Sequence, residues 1–387
     1  MIRVLFISRS LGPGGAEAQL AELVKHLDKS KFEVTVVTFY PGGRHFERVQ
    51  AIPSVRLISM DKKGRWDLFA FFLRLRKVFR EVRPQIVCAY SGANEAVYLM
   101  GKLFRAKTVL AIRSSFMNPE KYDWLHALLQ NMGRYLSHHC SIVISNSQAG
   151  KDEYTKAGYC GEKIVVIRNG FDIDLYHADR ALGSALRAEW KVEPNETLIG
   201  QIGRIDPMKD HPTFLRAAAI FAKERADVRF VCIGGRGEDA YRVELETMAK
   251  ELGLQDRLAW AGVQNDMPPV YNALDINTIS SAFGEGVPNA LGEAMCCEVP
   301  CVTTDVGDAA YLRGDPRWVV PVGDVEAIVA RWRTLLAMSP AERAEIGKAS
   351  RARICAECTP AKLTERTEAV FMNLMASSKE SSSKTST

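Results

Sequence analysis

Residues 2–39 read IRVLFISRSLGPGGAEAQLAELVKHLDKSKFEVTVVTF. The stretch opens on a β-rich apolar run, Ile2 to Ser8, and passes through a glycine-rich turn. It continues with Ala16, Leu20, Leu23, Val24 and Leu27 at helical spacing, then ends on a second apolar run, Val34 to Phe39. Strands apolar on both faces with helices between them belong to a parallel, doubly wound sheet. The alternation continues outward through Val55–Ser59, Gln85–Tyr90, Thr108–Ile112, Ser141–Ser145 and Ile164–Ile167. After the Asn169-Gly170 turn and a polar linker reaching about Pro194, it restarts with Thr197–Ile202, Val228–Ile233, Asp275–Ser280 and a run around Pro300 to Thr303. The reading is α/β, with two Rossmann-like domains in series.

Length agrees, since 387 residues exceed the roughly 250–300 at which one hydrophobic core stops growing. The expected division is an N-terminal domain over 1–178 and a C-terminal domain over 179–355. A C-terminal helix over 356–376, returning to the N-terminal domain, and a disordered Ser-rich tail over 377–387 complete it. No stretch approaches the roughly 18 consecutive apolar residues of a membrane span, and MIRVLFISRS lacks the apolar block of a signal peptide. A cytoplasmic location is therefore expected. The nine cysteines are then expected to be reduced, and the Cys355/Cys358 spacing has no second pair to make a metal site. A net charge of +5 favours anionic partners, yet no basic patch interleaved with aromatics points to nucleic acid.

Three segments carry chemistry. After the first strand, Gly12, Gly14 and Gly15 allow a tight turn whose N–H groups can meet an anion or a sugar. The strict G-x-G-x-x-G spacing of a dinucleotide site is absent, which excludes a dehydrogenase. After the strand ending at Ile202, GRIDPMKDHP places Gly203, Arg204 and Lys209 before a helix with Asp210 as cap and Pro212 at an early position. Two cations beside a helix start suit a diphosphate. Residues 280–295, SSAFGEGVPNALGEAM, feed a strand end into a glycine-rich turn and a helix begun by Pro288. Glu285 in the turn can accept from sugar hydroxyls and Glu293 on the helix from a ribose, while the N–H groups around Gly286, Val287 and Asn289 would face the phosphates between.

Over residues 1–375 the chain resembles glycosyltransferase family 4. The likeness rests on GGAE (14–17), NGFD (169–172), GRIDPMKDH (203–211), IGGRGED (233–239), the Glu285/Glu293 pair and PCVTTDVGDAAY (300–311). The resemblance implies the GT-B fold, two Rossmann-like domains facing across a donor-binding cleft, and retaining, metal-independent transfer of a sugar from a nucleoside diphosphate. It implies that Arg204 and Lys209 neutralise the diphosphate, that Glu285 holds the transferred sugar, and that Glu293 holds the ribose. Gly14 and Gly15 would close on the donor or acceptor, and no cofactor beyond the donor substrate is expected. The implied acceptor is a saccharide or lipid-linked saccharide in surface polysaccharide or glycoconjugate assembly.

One position departs from the family pattern. Many relatives have a histidine after the strand corresponding to Thr108–Ile112, whereas this chain has Arg113, followed by Ser114 and Ser115. Arg113 at a strand's carboxyl end is expected in the active site, fixing sugar hydroxyls or the leaving phosphate. His126, His138 and His139 read as surface or packing residues, and Asp172/Asp174 as part of a structural turn rather than a metal site. A GT-B sugar-nucleotide epimerase and a donor-binding, non-catalytic subunit are the alternatives. Finally, Lys62–Arg83 carries an apolar stripe of Leu68, Phe69, Phe72, Leu75 and Phe79 among eight Lys and Arg residues. It reads either as peripheral docking on the inner face of an anionic membrane or as a helix packing its stripe onto the sheet.

Overall fold

The computed structural model describes residues 1–64, 66–114, 124–235 and 239–383, with the side chains of 124–130, 239 and 377–383 left aside. The chain divides into two compact units, Met1–Gly170 with Pro360–Thr387, and Phe171–Thr359.

In the first unit, β1 (Ile2–Ser8), α1 (Gly15–His26), β2 (Phe32–Thr38), α2 (Arg44–Gln50), β3 (Val55–Ser59), α3 (Phe69–Val82) and β4 (Ile86–Ala89) follow in order. Then come α4 (Asn94–Leu103), β5 (Lys107–Ile112), α5 (Trp124–His139), β6 (Ile142–Ser145), α6 (Gln148–Lys156) and β7 (Ile164–Val166). The strands form one parallel sheet in the order β3-β2-β1-β4-β5-β6-β7. The winding direction reverses between β1 and β4. One face is closed by Leu75, Val78 and Phe79 of α3 with Val97 and Met100 of α4, the other by Leu20, Leu23 and Val24 of α1.

The second unit holds α7 (Ser184–Glu189), β8 (Thr197–Ile202), α8 (His211–Glu224), β9 (Val228–Ile233), α9 (Asp239–Glu251), β10 (Leu258–Gly262), α10 (Met267–Ala273) and β11 (Ile276–Ile279). It continues with α11 (Asn289–Cys296), β12 (Cys301–Thr304), α12 (Ala309–Arg313), β13 (Val319–Val320), α13 (Val325–Ala337) and α14 (Pro340–Glu357). Its parallel sheet runs β10-β9-β8-β11-β12-β13, reversing between β8 and β11. Trp332 of α13 anchors the core, packing edge-on against Phe214 and tilted against Phe221 and Phe230, and donating from Nε1 to Thr278 at 3.0 Å. The expected pair of doubly wound sheets is present.

The division falls inside the NGFD turn rather than at 178. Gln19 on α1 grips the backbone of Gly170 through both its amide atoms, at 2.8 and 2.9 Å. The next residue, Phe171, donates its N–H to Cys358 at 2.7 Å and lays its ring against Gly292 of α11, where a β-carbon would stand 2.2 Å from it. Hydrogen bonding and packing therefore change allegiance between two adjacent residues. The terminal helix, α15 (Pro360–Ser383), belongs to the first unit, with Phe371 against Phe6 and Phe32 and Glu368 accepting from the N–H of Asp28 at 2.8 Å. It extends beyond Ser377, where disorder was expected. Adding a residue to a helix already fixed by packing costs far less than starting one, so a polar continuation can stay helical.

All nine cysteines are free, most of them buried. No helix among the described residues is long and apolar enough to cross a membrane. The α3 stripe divides: Leu75 and Phe79 are fully buried on the sheet and cannot serve as membrane anchors, while Leu68 and Phe69 are exposed. Trp66 and Leu73 are exposed with them.

Candidate active site

In open α/β sheets ligands gather at the carboxyl ends of the strands where the winding reverses. In the second unit those ends belong to β8 and β11, the strands that release the Gly203–Lys209 and Ser280–Gly286 segments.

Past β8 the chain passes Gly203 and reaches Lys209 at the end of a short 3-10 turn. Asp210 then takes a left-handed conformation, φ +45°, and caps α8 by accepting from the N–H of Thr213 at 3.2 Å and its hydroxyl at 2.6 Å. The backbone carbonyl of Lys209 is held from two strands, by Gln201 at 2.7 Å and Ser280 at 3.0 Å. Gly203 lies under the Lys209 stem, which a β-carbon would meet at 3.2 Å. At Gly234 the room is smaller still: φ is +145°, and a β-carbon would stand 1.8 Å from the Gly203 carbonyl. Gly234 of the IGG segment is thus a steric requirement for the turn at Gly203.

Past β11, Ser281 donates to Glu285 Oε1 at 2.7 Å, and the Lys209 ammonium pairs with the same oxygen. Glu285 is 7% exposed, so the pair is buried, and it joins two residues 76 positions apart that no local sequence signal links. The turn carrying Glu285 and Gly286 is braced from β12: Asp308 donates its N–H to Gly286 at 2.8 Å, and Gly307, φ +62°, has no room for a β-carbon beside the Glu285 carbonyl. That contact explains the VGD of residues 306–308. Pro288 then caps α11, offering no side-chain acceptor to the helix N–H groups. On α11, Glu293 accepts from the hydroxyl of Tyr271 at 2.8 Å; burial, with the Glu293 charge beside it, pushes that phenol well above its usual value. Arg204 is 60% exposed, and its guanidinium lies 4.0 Å from Asp206. His211 is fully buried, neither ring nitrogen hydrogen-bonded among the described residues, and desolvation, reinforced by Lys209, pushes it down to about 4.

Arg113 and the glycine loop belong to the first unit. Gly14 caps α1, and Glu17 fills the space where its β-carbon would be. The Arg113 guanidinium lies 3.8 Å from the ring centre of Tyr90, the residue after β4. Among the described residues, Arg113 Nε and Nη1 and the Tyr90 hydroxyl are buried without hydrogen-bond partners, and burial lifts the Tyr90 phenol to about 12. Unsatisfied buried donors are costly unless a ligand completes them. Among the other expectations, Asp172 accepts from the N–H groups of Asp174 and Leu175, closing the turn it was read as, and His138 and His139 are exposed. Ser115 and residues 236–238 of IGGRGED lie outside the described residues, as does the His126 side chain. Ser281, Tyr271, Tyr90 and Gln19 were not singled out in the sequence; only Ser281, at a strand end four residues before Glu285, had a local signal.

Residues 13–175 match the family described as Glycosyltransferase Family 4, and residues 196–338 the one described as Glycosyl transferases group 1. The EpsF protein of Bacillus subtilis (strain 168) is 22% identical over 307 residues, covering 78% of this chain and 79% of that one. The N-acetylgalactosamine-N,N'-diacetylbacillosaminyl-diphospho-undecaprenol 4-alpha-N-acetylgalactosaminyltransferase of Campylobacter jejuni is 23% identical over 345 residues, covering 84% and 88%. Among solved structures, Anabaena HepE in complex with UDP-glucose superposes with a TM-score of 0.84 at 23% identity, over 96% of this chain and 100% of that one.

Proposed function

The chain belongs to the GT-B glycosyltransferases, and on that premise we propose that it is a retaining, metal-independent hexosyltransferase. It moves a sugar from a nucleoside diphosphate to a saccharide or lipid-linked saccharide, in assembly of surface polysaccharide or another glycoconjugate. The observation that carries this reading is the meeting of Lys209, on the segment released by β8, with Ser281 and Glu285, on the segment released by β11, at the reversal point of the second sheet. A relative acting on a diphospho-undecaprenol saccharide and a fold neighbour holding UDP-glucose support the acceptor and donor classes.

In the proposed reaction the bond between the sugar's anomeric carbon and the β-phosphate oxygen breaks. An acceptor hydroxyl oxygen bonds to that carbon from the same face, and its proton passes to the departing phosphate. Arg204 and Lys209 stabilise the negative charge that develops, in the place a metal cation takes in other transferases. Glu285 is held by Ser281 and Lys209 with its second oxygen, Oε2, left to accept from the sugar hydroxyls, and Glu293 from the ribose. Arg113 acts at the transferred group or its acceptor. Membrane docking, at the inner face of a cytoplasmic membrane, would use the exposed Trp66, Leu68, Phe69 and Leu73 with the neighbouring cations.

Thermal stabilisation by UDP, GDP, ADP and their sugars tests the donor site. One nucleoside diphosphate should raise the melting temperature by several degrees. A flat response to all three would set the donor assignment aside.

A further inference from the structure

At the amino-terminal ends of β1, β4 and β5, away from the glycine loop and Arg113, the first unit has a cavity of about 750 Å³. Arg3, Arg80, Arg83, Arg105 and Lys107 line it, and no carboxylate does. None of the five has a carboxylate partner among the described residues, whereas Arg56 and Arg74 nearby are paired with Glu81 and Asp67. The apolar wall is formed by Phe79 and Phe104, whose rings pack 5.2 Å apart.

Two of these arginines occupy backbone positions that disfavour them. Arg83 ends α3 with φ +47°, and Arg105 follows the end of α4 with φ +53°. A helix leaving through the left-handed region favours glycine there, because a β-carbon crowds the following carbonyl. Cations near helix carboxyl ends answer the partial negative charge of the last carbonyls. That accounts for one or two, and Arg3 Nε indeed donates to the Arg83 carbonyl at 2.8 Å. Five unpaired cations around one cavity, two of them held in a strained conformation, exceed what two helix ends require.

We infer that this cavity is a phosphate-binding site, built wholly within the first unit and separate from the residues assigned to the donor. Its ligand carries a phosphate or diphosphate beside an apolar part, the cations taking the former and the half-buried Phe104, backed by the buried Phe79, the latter. An anionic lipid headgroup and a free phosphate ester share this chemistry. Leu103, 60% exposed at the end of α4, lies next to Phe104 and suits the lipid source. The inference does not rest on the proposed transfer reaction.

The test uses the full chain and the double variant Arg80→Gln/Arg105→Gln, both exposed side chains whose loss leaves the core intact. Inorganic pyrophosphate is titrated calorimetrically into each, with UDP binding as the control. The variant should bind pyrophosphate at least tenfold more weakly, the scale of losing two charge-assisted contacts, with unchanged affinity for UDP. Equal binding by the two proteins, or none by either, overturns the inference. Co-sedimentation with phosphatidylglycerol vesicles then separates the sources. A loss of vesicle binding in the variant assigns the lipid headgroup, and unchanged vesicle binding alongside lost pyrophosphate binding assigns the free ester.

Discussion

Arg204 and Lys209 are both assigned to the diphosphate, yet their surroundings make their variants behave differently. Arg204 is largely solvated, so Arg204→Ala should weaken nucleoside-diphosphate binding by roughly 1.5–3 kcal/mol and leave folding unchanged. Lys209→Ala removes a contact of the same order and also strands the buried Glu285 carboxylate, which should cost about 3–5 kcal/mol of stability. Calorimetric titration with urea unfolding separates the two; equal stability of both variants would mean that the Lys209–Glu285 pair is not formed. Arg113 is a third case. Stacked on Tyr90 with buried donors unsatisfied, it should matter to turnover more than to nucleotide binding, and Arg113→Ala should lower kcat about a hundredfold. Near-normal transfer by that variant would return Arg113 to a packing role. The residues proposed for the donor could be picked out from the sequence because cations, glycines and carboxylates cluster there within short motifs. Tyr90 and Tyr271 could not, since their roles come from neighbours supplied by other strands and helices.

At the level of elements, α11 is fixed by the contact of Phe171 with Gly292. Replacing Gly292 by alanine pushes a methyl into the ring, and the overpacking should cost about 1–3 kcal/mol, read as a lower urea midpoint. An unchanged midpoint would show that the ring can step aside. Strands were legible from their apolar runs, and α8 from Asp210 and Pro212 at its start. Two strands escaped for different reasons: β13 because VV is too brief to stand out, and β10 because LAWAG, with two alanines and a glycine, has no β-branched residue. The 18-residue α14 escaped for another reason: its apolar periodicity is weak, although Ser339 and Glu342 form a capping box at its start that the sequence displays. The α3 stripe was read as one face, but packing buries its carboxyl half and exposes its amino end.

At the scale of the whole molecule, each unit hides, among the described residues, a histidine that cannot accept a proton without cost. Desolvation holds both His45 and His211 down to about 4. Because the unfolded value lies near 6.5, the unfolded chain binds more protons below that pH. The stabilising contribution is complete above about 6.5 and is lost as pH falls toward 4, amounting to about 2 kcal/mol per histidine between pH 7 and pH 5. His211→Phe should accordingly flatten the acid limb of the stability profile, and an unaltered slope would show that His211 is protonated without penalty. The two-sheet plan was legible in the chain's restart after residue 194, while the division at Gly170/Phe171 was not, because adjacent residues bind to different units through partners remote in sequence. The central claim is that the second unit binds and cleaves a nucleoside-diphosphate sugar at the ends of β8 and β11. Its most direct test is the release of nucleoside diphosphate from radiolabelled UDP-, GDP- and ADP-sugars, with saccharides or water as acceptor, by the full chain and by Arg204→Ala. The account predicts cleavage of one donor class by the full chain and at least a tenfold loss in kcat/KM for the variant. No cleavage of any donor, or equal cleavage by both proteins, would contradict it.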